Sequence, residues 1–353
     1  MAITNSIDSC AEQKLYERIA ADYSLNKNKY FIVKMKYELM RYDVQNDIDH
    51  YHKYFYEDRS RAFSSDEYIV VPKIIMILSN KCSLSCDNCS MLMPKYDEKW
   101  EIEAYEAIYY FDNFLRGADE VLNLNLVGGE PLLYNDLPTI IDYYKDNKKI
   151  KQISIYTNGT ILPNEQLINS FRHNKVEVVL SDYGNVVQMA KFVETLEINK
   201  IRLTIRTNSQ WIDFGNIHNR GKSDEILKYE FENCLFSYNC KTIYNNKVFV
   251  CERAARMHMI SSDFDSLKDY VTLPVYFTDD EIRQGIKQLL NIDAAESCNF
   301  CDAGKKDPII VPAGEQIGAA IKRSQYTIVR RDMLNKDSAE YNMAVSKLLD
   351  AIK

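Results

Sequence analysis

Between Tyr68 and Phe231 the chain alternates short apolar runs with segments of helical length, and this alternation limits the fold more than any other feature. The apolar runs fall at 69–78, 121–127, 152–156, 176–181 and 201–205, with helical stretches near 102–115, 137–145, 164–171 and 186–195 between them. Strands joined by helices of this length need right-handed crossovers, which lay the strands parallel in one sheet, open or curled into a barrel. One of the helices carries its own start signal, Pro163-Asn164-Glu165-Gln166, with Asn164 as the N-cap. Residues 1–67 read as a helical, polar and aromatic extension, with Met35, Leu39, Tyr42, Ile48, Tyr51 and Phe55 at roughly helical spacing. After about Cys234 the alternation stops. A short hairpin at 242–250 around Asn245-Asn246 follows, then helices near 279–290 and 340–352. Tyr341, Val345, Leu348 and Ile352 share one face of the last helix, a packing stripe.

The second constraint is cysteine. Nine cysteines sit in 353 residues beside only eleven glycines. With 46% apolar and 27% charged residues, the chain is an ordinary globular protein and not a disordered or collagen-like one. A net charge of −7 argues against nucleic acid as the partner. The longest apolar run, 69–78, contains Pro72 and Lys73 and is far short of the roughly twenty residues a membrane span needs. The N-terminus lacks the basic flank and apolar core of a secretion signal, so a cytoplasmic location is expected. In such a chain the cysteines are expected to be metal ligands or reactive groups and not a disulfide framework.

Three cysteines are packed into Cys82-Ser83-Leu84-Ser85-Cys86-Asp87-Asn88-Cys89, directly after the first apolar run. Tetrahedral zinc is one reading of this spacing, but zinc sites usually supply four ligands as paired knuckles, and no histidine lies nearby. An iron–sulfur cluster held by three thiolates is the other, with one iron left open for an outside ligand. The second run ends in Leu126-Val127-Gly128-Gly129-Glu130-Pro131, where two glycines permit close backbone approach and Glu130 offers an acceptor to an ammonium group. The third ends in Thr157-Asn158-Gly159-Thr160, which also reads as an ordinary Asn-Gly turn. The fourth ends in Ser181-Asp182, and ligands in parallel sheets bind at that carboxyl edge. Arg206 ends the fifth and could pair with an anionic group or make a surface ion pair.

Together these motifs, in this order, resemble the radical S-adenosylmethionine enzymes. The resemblance implies an α/β fold, a partial (β/α)6 TIM-type barrel over 68–232, with the helical extension 1–67 before it. It implies a 4Fe–4S cluster on Cys82, Cys86 and Cys89, whose open iron binds S-adenosylmethionine and reduces it to a 5′-deoxyadenosyl radical that takes a hydrogen atom from the substrate. Gly128, Gly129 and Glu130 match the family's GGE motif, Thr157 and Asn158 its TNG segment near the ribose, and Ser181 the serine that often touches the cofactor carboxylate; Asp182 could touch cofactor or substrate. The family commonly has an aromatic residue before the last cysteine of the loop, where this chain has Asn88.

The tail resembles a Twitch domain, a shortened SPASM extension, over 233–353 with a second, auxiliary 4Fe–4S cluster on Cys234, Cys251, Cys298 and Cys301. Cys240 is an alternative ligand, Cys10 is outside every pattern, and a structural zinc site is the competing reading. Asn246 stands where that pattern has glycine, and asparagine tolerates the positive φ of a tight turn. Arg253, Arg256 and His258 read equally as groups facing substrate or cluster and as a charged surface helix. The family's chemistry implies oxidation, epimerisation or elimination, with an external donor such as flavodoxin or ferredoxin. A carbohydrate-like or other small polar substrate is expected, because residues 1–67 lack the strand pattern of a leader-peptide-binding module. Maturation of a ribosomal peptide is the alternative, and a non-catalytic iron–sulfur electron carrier is the alternative of another class.

Overall fold

The computed structural model describes residues 68–317, apart from positions 184–185, 208–209, 235, 238–239, 262–263 and 265–266. The predicted N-terminal extension, the C-terminal helix and Cys10 lie outside the described residues. Five strands alternate with four helices: β1 (Val70–Ile77), α1 (Ala104–Gly117), β2 (Glu120–Val127), α2 (Leu137–Tyr144), β3 (Ile153–Thr157), α3 (Glu165–Phe171), β4 (Val176–Asp182), α4 (Val186–Ile198) and β5 (Leu203–Thr207). All five strands run parallel to their neighbours, in the order β5-β4-β3-β2-β1. The chain is therefore an α/β protein with a mostly parallel central sheet and surrounding helices, as expected of a partial TIM-type barrel.

The apolar runs form strands because the helices bury one whole face of the sheet. Ile74, Met76, Leu124, Leu126, Ile153 and Ile155 join one core with Phe111, Phe114, Ile140, Ile141 and Phe171 from the helices. Each fully buried side chain of this size contributes about 1.5–3 kcal/mol of transfer free energy. In α1 the buried residues Ala107, Phe111, Phe114 and Leu115 repeat at helical spacing, and in α3 the Asn164 side chain accepts from Leu167 N at 2.9 Å, the predicted N-cap.

Beyond β5 come β6 (Gln210–Ile212), α5 (Asp224–Asn233), β7 (Cys240–Tyr244), β8 (Lys247–Phe249), α6 (Glu252–Ile260), β9 (Tyr270–Thr272), α7 (Asp279–Leu290) and β10 (Ile310–Pro312). β7 and β8 are the expected hairpin, and Asn245 and Asn246 turn it with φ of 48° and 56°. The predicted boundary near 232–233 does not interrupt the sheet. β7 pairs in parallel with the free edge of β1, and β8 and β9 continue outward to make eight strands. A separate two-stranded ribbon joins β6 to β10. No helix among the described residues is long and apolar enough to cross a membrane.

Candidate functional site

The carboxyl ends of β1, β2 and β3 meet at one place. After β1, the buried Asn80 side chain accepts from Trp100 N at 2.8 Å and donates to Glu98 O at 2.6 Å, pinning the start of the cysteine loop. After β2, Glu130 N donates to Lys81 O at 2.8 Å. Only glycine fits between these two segments: a Cβ on Gly129 would lie 2.5 Å from both Cys82 Cβ and Lys81 O. The Glu130 carboxylate is fully buried and accepts from Leu132 N at 3.1 Å, Thr157 Oγ1 at 2.7 Å and Asn158 N at 2.8 Å, tying β2 to β3. Burial pushes its carboxyl up to about 7, against the pull of those three donors. Asn158 completes the junction, its Nδ2 reaching Ser83 Oγ at 3.1 Å and Cys82 Sγ at 3.8 Å.

Gly128, Gly129, Glu130, Thr157 and Asn158 thus gather around the Cys82 end of the loop. Ser181 and Asp182, at the end of β4, adjoin Tyr183, whose hydroxyl hydrogen-bonds with Ser181 and feels Cys86, Cys89 and Glu130. Tyr183 stacks edge-on against Trp211 of β6 at 5.2 Å. Tyr183 escaped the sequence reading, although its place beside the strand-end Asp182 was the available signal.

Sequence reasoning also missed Gln316. The segment after β10 pairs with the cysteine loop: Asp87 N donates to Glu315 O and Ile317 N to Ser85 O, each at 2.8 Å. Gln316 Oε1 accepts from Ser85 N at 2.6 Å, and its Nε2 donates to Cys86 Sγ at 3.0 Å. A contact across this much chain has no local signature. Burial pushes the thiols of Cys82 and Cys86 up to about 11, while Leu84 N and Gln316 respectively donate to their sulfurs and pull the other way.

The second group is assembled from separate elements. Cys234 ends α5, Cys251 caps α6, Cys298 lies within the 3-10 turn Glu296–Phe300 and Cys301 ends it. All four line one cavity of about 50 Å³, walled by Phe214, Phe231 and Phe236. Cys240 is not among its lining residues; it sits on β7 in register with Lys73 of β1. Lys222 Nζ holds the turn by donating to Cys298 O at 2.7 Å, Cys301 O at 2.6 Å and Glu230 at 2.6 Å. Asp269 accepts from Glu296 N and Ser297 N at 2.7 and 2.8 Å. Ala254 N and Ala303 N each donate to a sulfur, those of Cys251 and Cys301, at 3.4 Å.

The arginines of α6 are buried and do not form a charged surface. Arg253 donates to Phe300 O, Asn216 O and Gly215 O, and Arg256 is bound to Glu252 at 2.9 Å and Tyr96 Oη at 3.3 Å. His258 packs among Phe249, Tyr270 and Lys247 and is not among the residues lining the cavity of the second group. Among the described residues, no three His, Cys, Asp or Glu side chains converge closely enough to hold a single metal ion. In both groups, largely half-buried thiols with N–H donors aimed at some of the sulfurs suit iron–sulfur clusters, whose sulfurs take such bonds.

Residues 76–182 match the family model of the Radical SAM superfamily. The chain carries a radical SAM domain. Such a domain implies a 4Fe–4S cluster and S-adenosylmethionine as cofactors. The chain is 36% identical over 85 residues to a probable GTP 3′,8-cyclase of Methanococcus maripaludis, covering 24% of this chain and 28% of that protein. It is 28% identical over 96 residues to an S-adenosylmethionine-dependent nucleotide dehydratase of Selenomonas ruminantium, covering 27% and 33%. The aligned part thus spans a third or less of these curated relatives. Among solved structures, anSMEcpe with bound AdoMet aligns with 67% of this chain and 84% of its own, at 14% identity and a TM-score of 0.43.

Proposed function

We propose that this chain is a radical SAM enzyme acting on a small polar, carbohydrate-like substrate. The observation that carries the reading is the junction at Cys82, where the cysteine loop, Gly128-Gly129-Glu130 and Thr157-Asn158 are locked by direct contacts. Cys82, Cys86 and Cys89 would hold the catalytic cluster. Gly128, Gly129, Glu130, Thr157, Asn158, Ser181 and Asp182 would receive S-adenosylmethionine beside it. When bound, the cluster and S-adenosylmethionine supply one-electron chemistry that takes a hydrogen atom from an unactivated C–H bond. The protein residues contribute position and exclusion of water. The glycine pair leaves room at Cys82, Glu130 fixes the ends of two strands, and the segment of Gln316 covers the loop.

Cys234, Cys251, Cys298 and Cys301 would hold an auxiliary cluster in their shared cavity, able to take an electron from a substrate radical. The two curated relatives are named for nucleotide chemistry, which favours a substrate with a sugar-like, oxygen-rich part. Anaerobic reconstitution tests the reading. About eight irons per chain are expected, four for each cubane cluster, together with 5′-deoxyadenosine formed from S-adenosylmethionine and dithionite. Absence of 5′-deoxyadenosine at full iron loading would instead favour an electron carrier.

A further inference from the structure

The two faces of the parallel sheet differ in character. One is the apolar core under the helices. On the other, register aligns Lys73 with Asn123 and Cys240, Ile75 with Asn125 and Thr242, and Asn125 with Ser154. Tyr156 and, through Ser181, Arg206 fall on the same face. This inner face is polar although it is buried, with Asn123 and Asn125 4% exposed, Ser154 1% and Thr242 0%.

Its polar groups are incompletely used. The side-chain oxygens of Asn123, Asn125 and Thr242 are buried and have no hydrogen-bond partner among the described residues. Buried polar atoms in folded proteins are rarely left so; a water, an ion or a ligand usually completes them. The carboxylates nearby are committed elsewhere. Glu177 is bound by Thr204, Gln152 and Arg202, and Glu252 by Arg256. Lys73 and Arg206 make no ion pair among the described residues. Arg206 lies 5.1 Å above the Tyr156 ring, with one nitrogen 3.4 Å from its hydroxyl. The ionisable groups that face Lys73 are Tyr156, Cys240, Arg206 and Glu252. Burial pulls the Lys73 ammonium down and Arg206 adds to that pull, but Tyr156, Cys240 and Glu252 outweigh both and hold it above its ordinary range, while burial keeps Cys240 a thiol. Lys73 and Arg206, both half-buried, therefore share this face with no carboxylate in ion-pair distance of either among the described residues.

We propose that this inner face binds the substrate as an anion, a phosphorylated or carboxylated polyol. Lys73 and Arg206 receive the anionic group, and Asn123, Asn125 and Thr242 accept from its hydroxyls. Arg206 closes the site from β5, with the Tyr156 hydroxyl beside it. This deepens the radical SAM reading, on which it rests for the identity of the reaction but not for the anion site itself.

A matched series tests it: ribose 5-phosphate, ribonate and ribose, titrated calorimetrically into the reconstituted full chain without oxygen at fixed ionic strength. At least one of the two anions should bind tenfold or more tighter than ribose, and which one does so separates phosphate from carboxylate recognition. Arg206→Gln and Lys73→Gln should each abolish that preference, and Arg206→Lys should retain part of it. Iron content and cluster absorbance verify that each variant is folded. Should Lys73→Gln fail to fold, the Arg206 pair decides alone. Equal binding of all three probes, binding of none, or a preference that survives in both charge-neutral variants would overturn the proposal. Formation of 5′-deoxyadenosine by the wild type is scored separately. Anion preference without it would sink the radical SAM reading alone, and 5′-deoxyadenosine without anion preference would sink this inference alone.

Discussion

The two cysteine groups are built in opposite ways. Cys82, Cys86 and Cys89 lie on one loop, so their spacing is fixed by covalent chain and a few turn contacts. Cys234, Cys251, Cys298 and Cys301 come from the end of α5, the start of α6 and a 3-10 turn, and they meet only when those elements pack. The first group is held mainly by backbone and by small or amide side chains, namely Gly129, Asn80, Asn158 and Gln316. The second is held by buried charge, through Lys222, Arg253 and Asp269. A loop site can form before the rest of the fold is complete, whereas an assembled site depends on every element that contributes to it.

The sharpest way to break the comparison is to remove ligands from one group at a time. Cys86→Ala should abolish 5′-deoxyadenosine formation and lower the iron count from about eight to about four. Cys298→Ala with Cys301→Ala should lower iron by the same amount but leave S-adenosylmethionine cleavage measurable. Cys240→Ala should leave iron content unchanged, since Cys240 is not among the residues lining the cavity. Equal loss of cleavage in the first two variants would erase the functional distinction between the groups.

Second in size is Lys222→Met. It strands Glu230 and releases the carbonyls of Cys298 and Cys301 in a nearly buried site. Breaking a buried pair from one side costs about 3–5 kcal/mol, readable as a shifted denaturation midpoint. The expected iron loss falls on the second group, because nothing of Lys222 touches the first loop.

These contrasts track what was legible in the sequence. The five strands and the first cysteine group are local patterns, and the observed strands begin and end within two residues of the predicted positions. The hairpin was equally local, with Asn245 and Asn246 supplying positive φ. The role of α6 was not legible. Arg253 and Arg256 look like surface charge in sequence, and burial with carbonyl and carboxylate partners emerges only from packing. α5 was missed because its buried residues, Leu227, Glu230 and Phe231, include a charge whose partner, Lys222, lies in the preceding loop. Asn123 and Asn125 were overlooked inside an otherwise apolar strand. Two asparagines in a buried parallel strand run against β-propensity, and that conflict was the available signal of a polar interior.

A third prediction tests the backbone-held side. The Glu130 carboxyl titrates near 7 in the folded protein, against 4.5 as its ordinary value. Between those values the folded state binds the extra proton, so this group's contribution is complete below about pH 4.5 and is lost as pH rises through 7. At about 1.4 kcal/mol per unit, the loss is of order 3 kcal/mol. Glu130→Gln should flatten the fall of denaturation midpoint over that window. An unchanged slope would mean that the three donors keep the carboxylate ionised throughout.

The smallest expected effect concerns a side-chain contact that joins residues 230 apart in the chain at the loop site. Gln316 Nε2 donates to Cys86 Sγ at 3.0 Å, and a donor to a cluster sulfur stabilises the more negative, reduced state. A net hydrogen bond of about 1 kcal/mol corresponds to about 40 mV for a one-electron couple. Gln316→Ala should therefore lower the midpoint potential of the cluster on Cys82, Cys86 and Cys89 by tens of millivolts, followed by redox titration with electron paramagnetic resonance. The other cluster should not move, since Gln316 is not among the residues lining its cavity. Gln316→Glu sharpens the result: a carboxylate in place of the amide donor should lower the potential further than alanine does. If both variants leave the potential unchanged, the segment after β10 braces the loop through its backbone bonds at Ser85 and Asp87 alone, and the first cysteine group is as local in its electronics as it is in its sequence.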